Sequence, residues 1–294
     1  MSAQPFFIIA FCNGYRLVLT MPKKNILIFL FCILLALPAS GGCRELTFST
    51  YPFANPTVIY QTLLPLADYL GTQTGTIITV KIVSSYSDHI KTVGSGSVDL
   101  AFVGPAPYVR IKDKFGGIEL LARFRMRDDI SDKMVIVCRQ DAALRTISDL
   151  AGLPFAFGDH QSYGSHYLPR WVLDHSGVPL NRLAMYDFVK SHDNVVLSVL
   201  HGDFAAGGVR MDVFRKYEDR PLRVLAGPYL TPPHAIIARA GLQQELKDTL
   251  RRALLTLRDP KVLTAINPDM LRFDDVSDRD FAQARKIINS LESR

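Results

Sequence analysis

The stretch Val98-Asp99-Leu100-Ala101-Phe102-Val103-Gly104-Pro105-Ala106-Pro107-Tyr108 decides how this chain folds. An apolar run, Val98 to Val103, ends in Gly104, and Pro105 opens the next segment. Glycine permits close backbone approach, and proline is favoured at the first position of a helix. The segment therefore reads as strand, turn and helix start. In open α/β sheets ligands collect outside the carboxyl ends of strands, and a helix N-terminus, with its free N–H groups and positive dipole end, suits an anion. Taken alone this is an ordinary βα turn. It gains weight because similar turns recur at Tyr86-Ser87-Asp88, at Gly158-Asp159-His160-Gln161-Ser162-Tyr163-Gly164-Ser165 and at Ser191-His192-Asp193.

Working outward, strand patterns fall at residues 46–50, 77–83, 98–103, 134–138, 154–157, 205–209 and 223–226, with helical periodicity between them. Asn55-Pro56 caps a helix carrying Val58, Ile59, Leu63, Leu66 and Leu70. Pro65 predicts a kink or break in it, and Gly71 its stop. A helix from Tyr86 should end by Gly94–Gly96, and one from Ser191 at Gly202. Residues 242–257 and 278–291 read as two amphipathic helices. Strands alternating with helices imply mainly parallel sheets. With no repeat, low-complexity tract or long linker, the expected layout is two lobes joined by short crossings. Lobe 1 is residues 43–136 with 235–294 and lobe 2 is residues 137–234. The crossings are placed near Met134–Gln140 and Thr231–Ile237.

The N-terminus speaks to compartment. Ile26 to Leu37 is an unbroken apolar run of 12 residues, preceded by Lys23-Lys24 and followed by Ala39-Ser40-Gly41-Gly42. This is the form of a secretory signal and is short for a membrane span. Residues 1–42 are thus expected to be a signal segment, with Met21 as the natural start. Cys43 after Gly41-Gly42 resembles a bacterial lipobox, although Ser40 stands where an aliphatic residue is usual. Acylation at Cys43 would tether the chain to a membrane without spanning it. Cys138, inside an apolar strand pattern, reads as a core thiol.

The formal net charge is +6. Arg16, Lys23 and Lys24 precede Cys43 and no acid does, which leaves 31 bases against 28 acids in the exported part. So mild an excess, with no basic stripe interleaved with aromatics, gives no sign of a nucleic-acid partner. There is no Gly-x-Ser-x-Gly elbow, no phosphate-cradling Gly-Lys-Ser/Thr loop and no framed carboxylate pair. His160, His166 and His192 lack metal-ligand spacing. The expectation is a binding protein, not an enzyme, with no metal and no cofactor.

On the Val98–Pro105 run, the Tyr86 segment, the Gly158–Ser165 loop and His192 in Ser191-His192-Asp193-Asn194, the chain resembles the phosphate/phosphite/phosphonate-binding proteins of ABC transporters. These are type II periplasmic binding proteins. The resemblance implies an α/β, two-lobed fold hinged on two crossing strands and closing over an oxyanion. It also implies a monomer that presents its closed form to a membrane permease. The alternative is a sensor that partners a membrane histidine kinase. The implied ligand contacts are Tyr86, Ser162, Tyr163, Gly164, Ser165 and His192, joined at the rim by Gly104, Tyr51 and Asn55. His192 at a helix start should favour its neutral form. The chain also departs from the family. Val103 stands where a Tyr often precedes the glycine, and Gly164 replaces the second Ser of the loop. Arg210 and His234 occupy positions where aminoalkylphosphonate binders place carboxylates. Two basic groups would repel an ammonium, so the expected ligand is a phosphonate, phosphite or phosphate-like oxyanion without an amine, unless Asp212 restores the carboxylate.

Overall fold

A computed structural model of the chain describes residues 6–12, 15–21, 44–127 and 132–293. The apolar run and Cys43 lie outside the described residues. Strands β1 (Phe6–Cys12) and β2 (Tyr15–Met21) pair antiparallel, Phe6 opposite Met21 and Cys12 opposite Tyr15.

From Glu45 the chain forms one compact unit. In order it contains β3 (Glu45–Thr50), α1 (Pro56–Thr74), β4 (Ile77–Ile82), α2 (Tyr86–Gly94), β5 (Leu100–Val103), α3 (Pro105–Phe115) and β6 (Ile118–Met126). Next come β7 (Lys133–Arg139), β8 (Pro154–Phe157), a π-turn (Tyr163–Tyr167) leading into α4 (Leu168–His175), and β9 (Met185–Phe188). Then follow α5 (His192–His201), β10 (Ala206–Arg210), α6 (Met211–Arg215) and β11 (Leu222–Leu230). The chain closes with β12 (Ala235–Arg239), α7 (Gln244–Thr256), α8 (Pro260–Ile266), β13 (Met270–Asp274) and α9 (Ala282–Glu292).

Two sheets result. One has the order β13-β6-β12-β5-β3-β4 and the other β11-β7-β10-β8-β9. Each contains the same parallel triplet: β5-β3-β4 in the first and β10-β8-β9 in the second, so the third strand of each triplet lies beside its first. The strands that carry the chain between sheets join antiparallel: β12 on β5, and β7 on β10. The sheets are therefore α/β as expected, with the βαβ parts parallel and the connecting strands opposed. The chain passes between sheets after Met126 and returns after Leu230. The passages bond to one another, Thr231 N–H to Asp132 O at 2.9 Å and Phe124 N–H to His234 O at 3.0 Å.

The triplets place the carboxyl ends of β3, β4, β5, β8, β9 and β10 where the recurring turns were read. Central strands are apolar throughout, as β5 (Leu-Ala-Phe-Val) and most of β7 show, because both faces are covered by other elements. β4 lies at an edge and alternates: Ile78 and Val80 are buried while Ile77 is exposed. Helix α1 buries Ile59, Leu63, Leu66 and Leu70 against Leu46 and Phe48. Helix α5 buries Val195, Val196 and Val199 against Val135 and Val137.

Two local expectations for α1 are corrected. Pro65 does not break it; the helix is continuous through residue 65. A proline there costs about 3 kcal/mol, and four buried aliphatic side chains, each contributing about 1.5–3 kcal/mol on burial, outweigh that. Nor does α1 stop at Gly71. It ends on Gly75, at φ 65°, where a left-handed cap suits glycine. Gly71 lies inside the helix because a Cβ there would come 2.7 Å from Thr76 O. Strands β6, β9 and β13 and helix α8 carried no pattern that singled them out. Asp99 holds β3 to the end of β12, accepting from Thr47 N–H at 3.0 Å and Arg239 Nε at 2.9 Å.

β10 carries the glycine pair Gly207-Gly208 because neighbours crowd it from both faces. A Cβ on Gly208 would sit 2.2 Å from Pro169 Cγ, and one on Gly207 2.3 Å from a Val195 methyl. Gly208→Ala should therefore destabilise the chain by about 1–3 kcal/mol through overpacking against a rigid ring. In thermal unfolding that is a fall of about 2–4 °C per kcal/mol; an unchanged Tm would show that α4 can shift without cost.

Candidate functional site

Three helices that face the cleft between the triplet ends begin in the same way, each capped by a serine. Ser85 Oγ accepts from Asp88 N–H at 3.0 Å, Ser162 Oγ from Ser165 N–H at 3.2 Å and Ser191 Oγ from Asn194 N–H at 3.1 Å. The residue after each serine is Tyr86, Tyr163 or His192. A serine cap leaves the first N–H groups of the helix without partners inside it, so these starts are donor-rich. The helix at Gly104 is different. Pro105 and Pro107 have no N–H, and the cap makes no side-chain bond. The turn that decided the fold is thus the poorest in donors. Gly104 acts by lacking a side chain: a Cβ would come 3.0 Å from the Tyr51 hydroxyl and 3.3 Å from His234 Nε2.

The cleft has a volume of about 570 Å³. Of the residues read from sequence, Tyr51, Tyr86, Gly104, Ser162, Tyr163, Gly164, His192, Arg210 and His234 line it. Ser165 does not. Its hydroxyl donates to Gly208 O at 2.7 Å, which pins the π-turn to β10, and it packs where a Cβ on Gly158 would fall. Asn55 stays outside as well and caps α1 through Val58 N–H at 3.0 Å. Tyr163 is buried, and its hydroxyl has no hydrogen-bond partner among the described residues.

Arg210, at the end of β10, organises the floor. Its Nε donates to Asp212 Oδ1 at 2.9 Å and its Nη2 to Asp212 Oδ2. Its Nη1 donates to His234 Nε2 at 3.3 Å, and its backbone N–H donates to His192 Nδ1 at 3.1 Å. Arginine can only donate, so both histidines accept. His192 must then carry its hydrogen on Nε2, and His234 on Nδ1.

Burial, and next the Arg210 charge, push His192 down to about 4. The same two causes hold His234 well below the usual histidine range. Both rings are neutral, as expected for His192, but for reasons of burial and a nearby cation. Burial would pull Arg210 down; the charge and hydrogen bonds of Asp212 more than offset it and leave Arg210 above its ordinary value. Burial likewise raises Asp212 but Arg210 prevails, and its carboxyl lies below the usual range.

The second wall is aromatic. Tyr51 and Tyr86 lie ring to ring at 4.1 Å, and Phe102 stacks on His234 at 5.3 Å. Burial raises both phenols, so their hydroxyls remain protonated donors. Sequence reasoning did not single out Phe53, Phe102, Phe124, Met126, Thr231 or residues 265–269 as lining. These positions carry no local signal because β6, the return passage and the α8–β13 loop reach the cleft from distant parts of the chain. Asp212, read as an alternative to Arg210, is its partner. Asp193, Arg215, Lys216 and Asp269 also line the cleft, so an ammonium there would face charges of both signs beside two neutral rings. Of the two basic groups in the sequence argument, His234 is held neutral and Arg210 is paired with Asp212.

The arrangement offers convergent donors above a buried, compensated Arg210–Asp212 charge. It is suited to holding an oxyanion.

A family model described as the periplasmic substrate-binding protein of phosphonate ABC transporters matches residues 48–281. Among solved structures, PhnD1 from Prochlorococcus marinus in complex with methylphosphonate is 18% identical, with a TM-score of 0.76, covering 85% of this chain and 99% of that one. A binding-protein component of an ABC phosphonate transporter from Pseudomonas aeruginosa is 18% identical, with a TM-score of 0.73 and coverage of 83% and 85%. The periplasmic VFT2 domain of Bordetella pertussis BvgS is 20% identical, with a TM-score of 0.52 and coverage of 76% and 93%. At these identities the structures speak to the fold, which is that of the type II periplasmic binding proteins.

The neutral, buried His192 has a consequence for stability. In the folded chain it takes up a proton only near pH 4, in the unfolded chain near 6.5. Between those values the unfolded state binds more protons, so this stabilisation is complete above about pH 6.5 and is lost as pH falls towards 4. His89 and His166, also lowered to about 4 chiefly by burial, act in the same direction. Denaturant unfolding at pH 7.5, 5.5 and 4.5 should show stability falling with pH, and less steeply for His192→Gln. Equal slopes would mean that His192 is not held neutral by the fold.

Proposed function

The chain belongs to the periplasmic substrate-binding protein family of phosphonate ABC transporters, and from that premise we propose which ligand it takes and how it holds it. A protein of this family captures a small ligand and delivers it to a membrane permease; it is a binding protein and not an enzyme. The ligand proposed is a phosphonate or a close oxyanion such as phosphite. The Tyr86 and Ser162 hydroxyls, the Tyr163 and Gly164 N–H groups and His192 Nε2–H supply its hydrogen bonds, with Arg210 as the compensated charge beneath.

The observation that carries this reading is the bond from Arg210 N–H to His192 Nδ1. It fixes the tautomer, makes Nε2 a permanent donor, and lets a neutral ring take part without a proton having to arrive with the anion. Many donors and a paired charge can hold an anion tightly yet release it, which transport requires.

Capture would proceed by hinge closure. Residues 45–126 with 235–293 would form one lobe and residues 133–230 the other, the divisions placed by the sheets and not at the sequence-read 136/137 and 234/235, turning on the paired passages at Thr231–Asp132 and Phe124–His234. Ligand contacts from both lobes would favour the closed form. The likeness to BvgS is one of fold, and the kinase-sensor reading has less support than transport. We assign a monomer, exported by its N-terminal segment and acylated at Cys43. Cys43→Ala should move the protein from the membrane fraction to the soluble one, and unchanged fractionation would remove the anchor.

The binding test is calorimetric titration with methylphosphonate. Tyr86→Phe and His192→Ala each delete one donor to a charged ligand, a loss of about 1.5–3 kcal/mol, or about tenfold or more in Kd, with the folded state intact by circular dichroism. Unchanged affinity in a folded variant would take that residue out of the site.

A further inference from the structure

Besides the donor cluster and the charged Asp193, Arg215 and Lys216, the cleft is lined by a group of apolar and aromatic side chains. At about 570 Å³ the cavity has the size of those that enclose drug-sized molecules, about 300–1,000 Å³, well beyond the needs of a lone tetrahedral head. A cluster of aromatic rings adjoins Tyr51, with Phe102 itself 5.6 Å from Tyr51. Phe53 lies 5.9 Å from Tyr51, Phe102 lies 5.4 Å from Phe53, and Phe124 lies 5.3 Å from Phe102. Beyond them Val58, Met126 and Ile266 continue the wall. Val58, on the first turn of α1, is 41% exposed although it lines a cavity, so its methyls are available for contact. Polar groups are sparse here: Thr62 and Asn267 lie among the apolar side chains, and Asp269 sits exposed at the margin.

Four separate segments build this wall: the loop and helix after β3, β5 through Phe102, the end of β6, and the α8–β13 loop. A ligand that ended at its anionic head would leave it facing water. A substituent with hydroxyls or an ammonium would lose hydration against these rings and methyls, with only Thr62, Asn267 and the marginal Asp269 to partner it.

We propose that the ligand is an organophosphonate whose uncharged carbon substituent, alkyl or aryl, extends from the donor cluster along the Phe53–Phe124–Met126–Ile266 wall. This rests on the phosphonate reading of the preceding subsection and extends it from the head of the ligand to its tail. The head supplies orientation and the tail supplies affinity through burial of apolar surface. Each buried methylene is worth about fourfold in Kd.

The test is calorimetric titration of the exported chain with methyl-, propyl-, hexyl-, phenyl- and 2-aminoethylphosphonate, and with inorganic phosphate. Propylphosphonate should bind about tenfold or more tightly than methylphosphonate, hexyl- and phenylphosphonate more tightly again, and the aminoethyl compound more weakly than the propyl one. Val58→Asp places a carboxylate on the exposed first turn of α1, where a negative charge suits the helix dipole, so folding is preserved. It should collapse the ratio of hexyl to methyl affinity towards one. Affinity that stays flat or falls with chain length, or aminoethylphosphonate binding more tightly than propylphosphonate, would overturn the tail assignment while leaving methylphosphonate binding, and with it the head, intact. No heat with any phosphonate would instead overturn the head reading and the extension with it.

Discussion

The cleft depends on one ion pair. Arg210 is clasped by Asp212, and that clasp fixes everything the guanidinium and its backbone touch: His192 through Nδ1 and His234 through Nε2. A cation placed among buried rings is costly unless it is paired and hydrogen-bonded. Asp212 supplies the charge two residues along the chain, where β10 gives way to α6. The histidines supply acceptors, and burial with the Arg210 charge holds both neutral. The polarity of the site follows: hydrogen-bond donors converge on the cleft, while the full charge below is already answered.

The same economy appears in the frame. Two parallel triplets with identical strand order bring six strand ends to one cleft, and three serine-capped helices start there. A capped start satisfies the cap and leaves the next N–H groups open. The Gly207-Gly208 pair lets β10 run tightly between Val195 and Pro169, so Arg210 is delivered on a strand with little freedom to move. Helix α9 ties the π-turn to α3: Glu292 pairs with Arg110 of α3 and accepts from the Tyr167 hydroxyl at 3.0 Å.

Much of this was legible because it is local. Ser191-His192-Asp193 and Gly202 bound a helix by cap and left-handed stop, as read, and the loop at Gly158–Ser165 fell where a strand end meets a helix start. The errors were local rules overridden by packing. Pro65 is tolerated because Ile59, Leu63, Leu66 and Leu70 anchor both halves of α1, and Gly71 serves close approach to Thr76, not termination. Ser165 was read as a ligand contact from the family resemblance; its hydroxyl is spent on Gly208, a residue 43 positions away that no local pattern could foretell. Asp212 and Arg210 were read as alternatives when they are partners, since which of two nearby side chains turns inward is set by the groups already inside. The apolar wall was not legible at all. Met126 and Ile266 meet only through tertiary structure, and each alone looks like ordinary core.

The central claim is that the serine-capped starts and the neutral His192 together hold a phosphonate head. A crystal structure of the chain with methylphosphonate tests it most directly. The account predicts the phosphonate oxygens within hydrogen-bonding distance of the Tyr86 hydroxyl, Gly164 N and His192 Nε2, with the Arg210–Asp212 pair unbroken and the methyl group directed towards Phe53 and Phe102. A phosphonate bound directly by an Arg210 released from Asp212, or seated at the start of α3 beside Pro105, would contradict it.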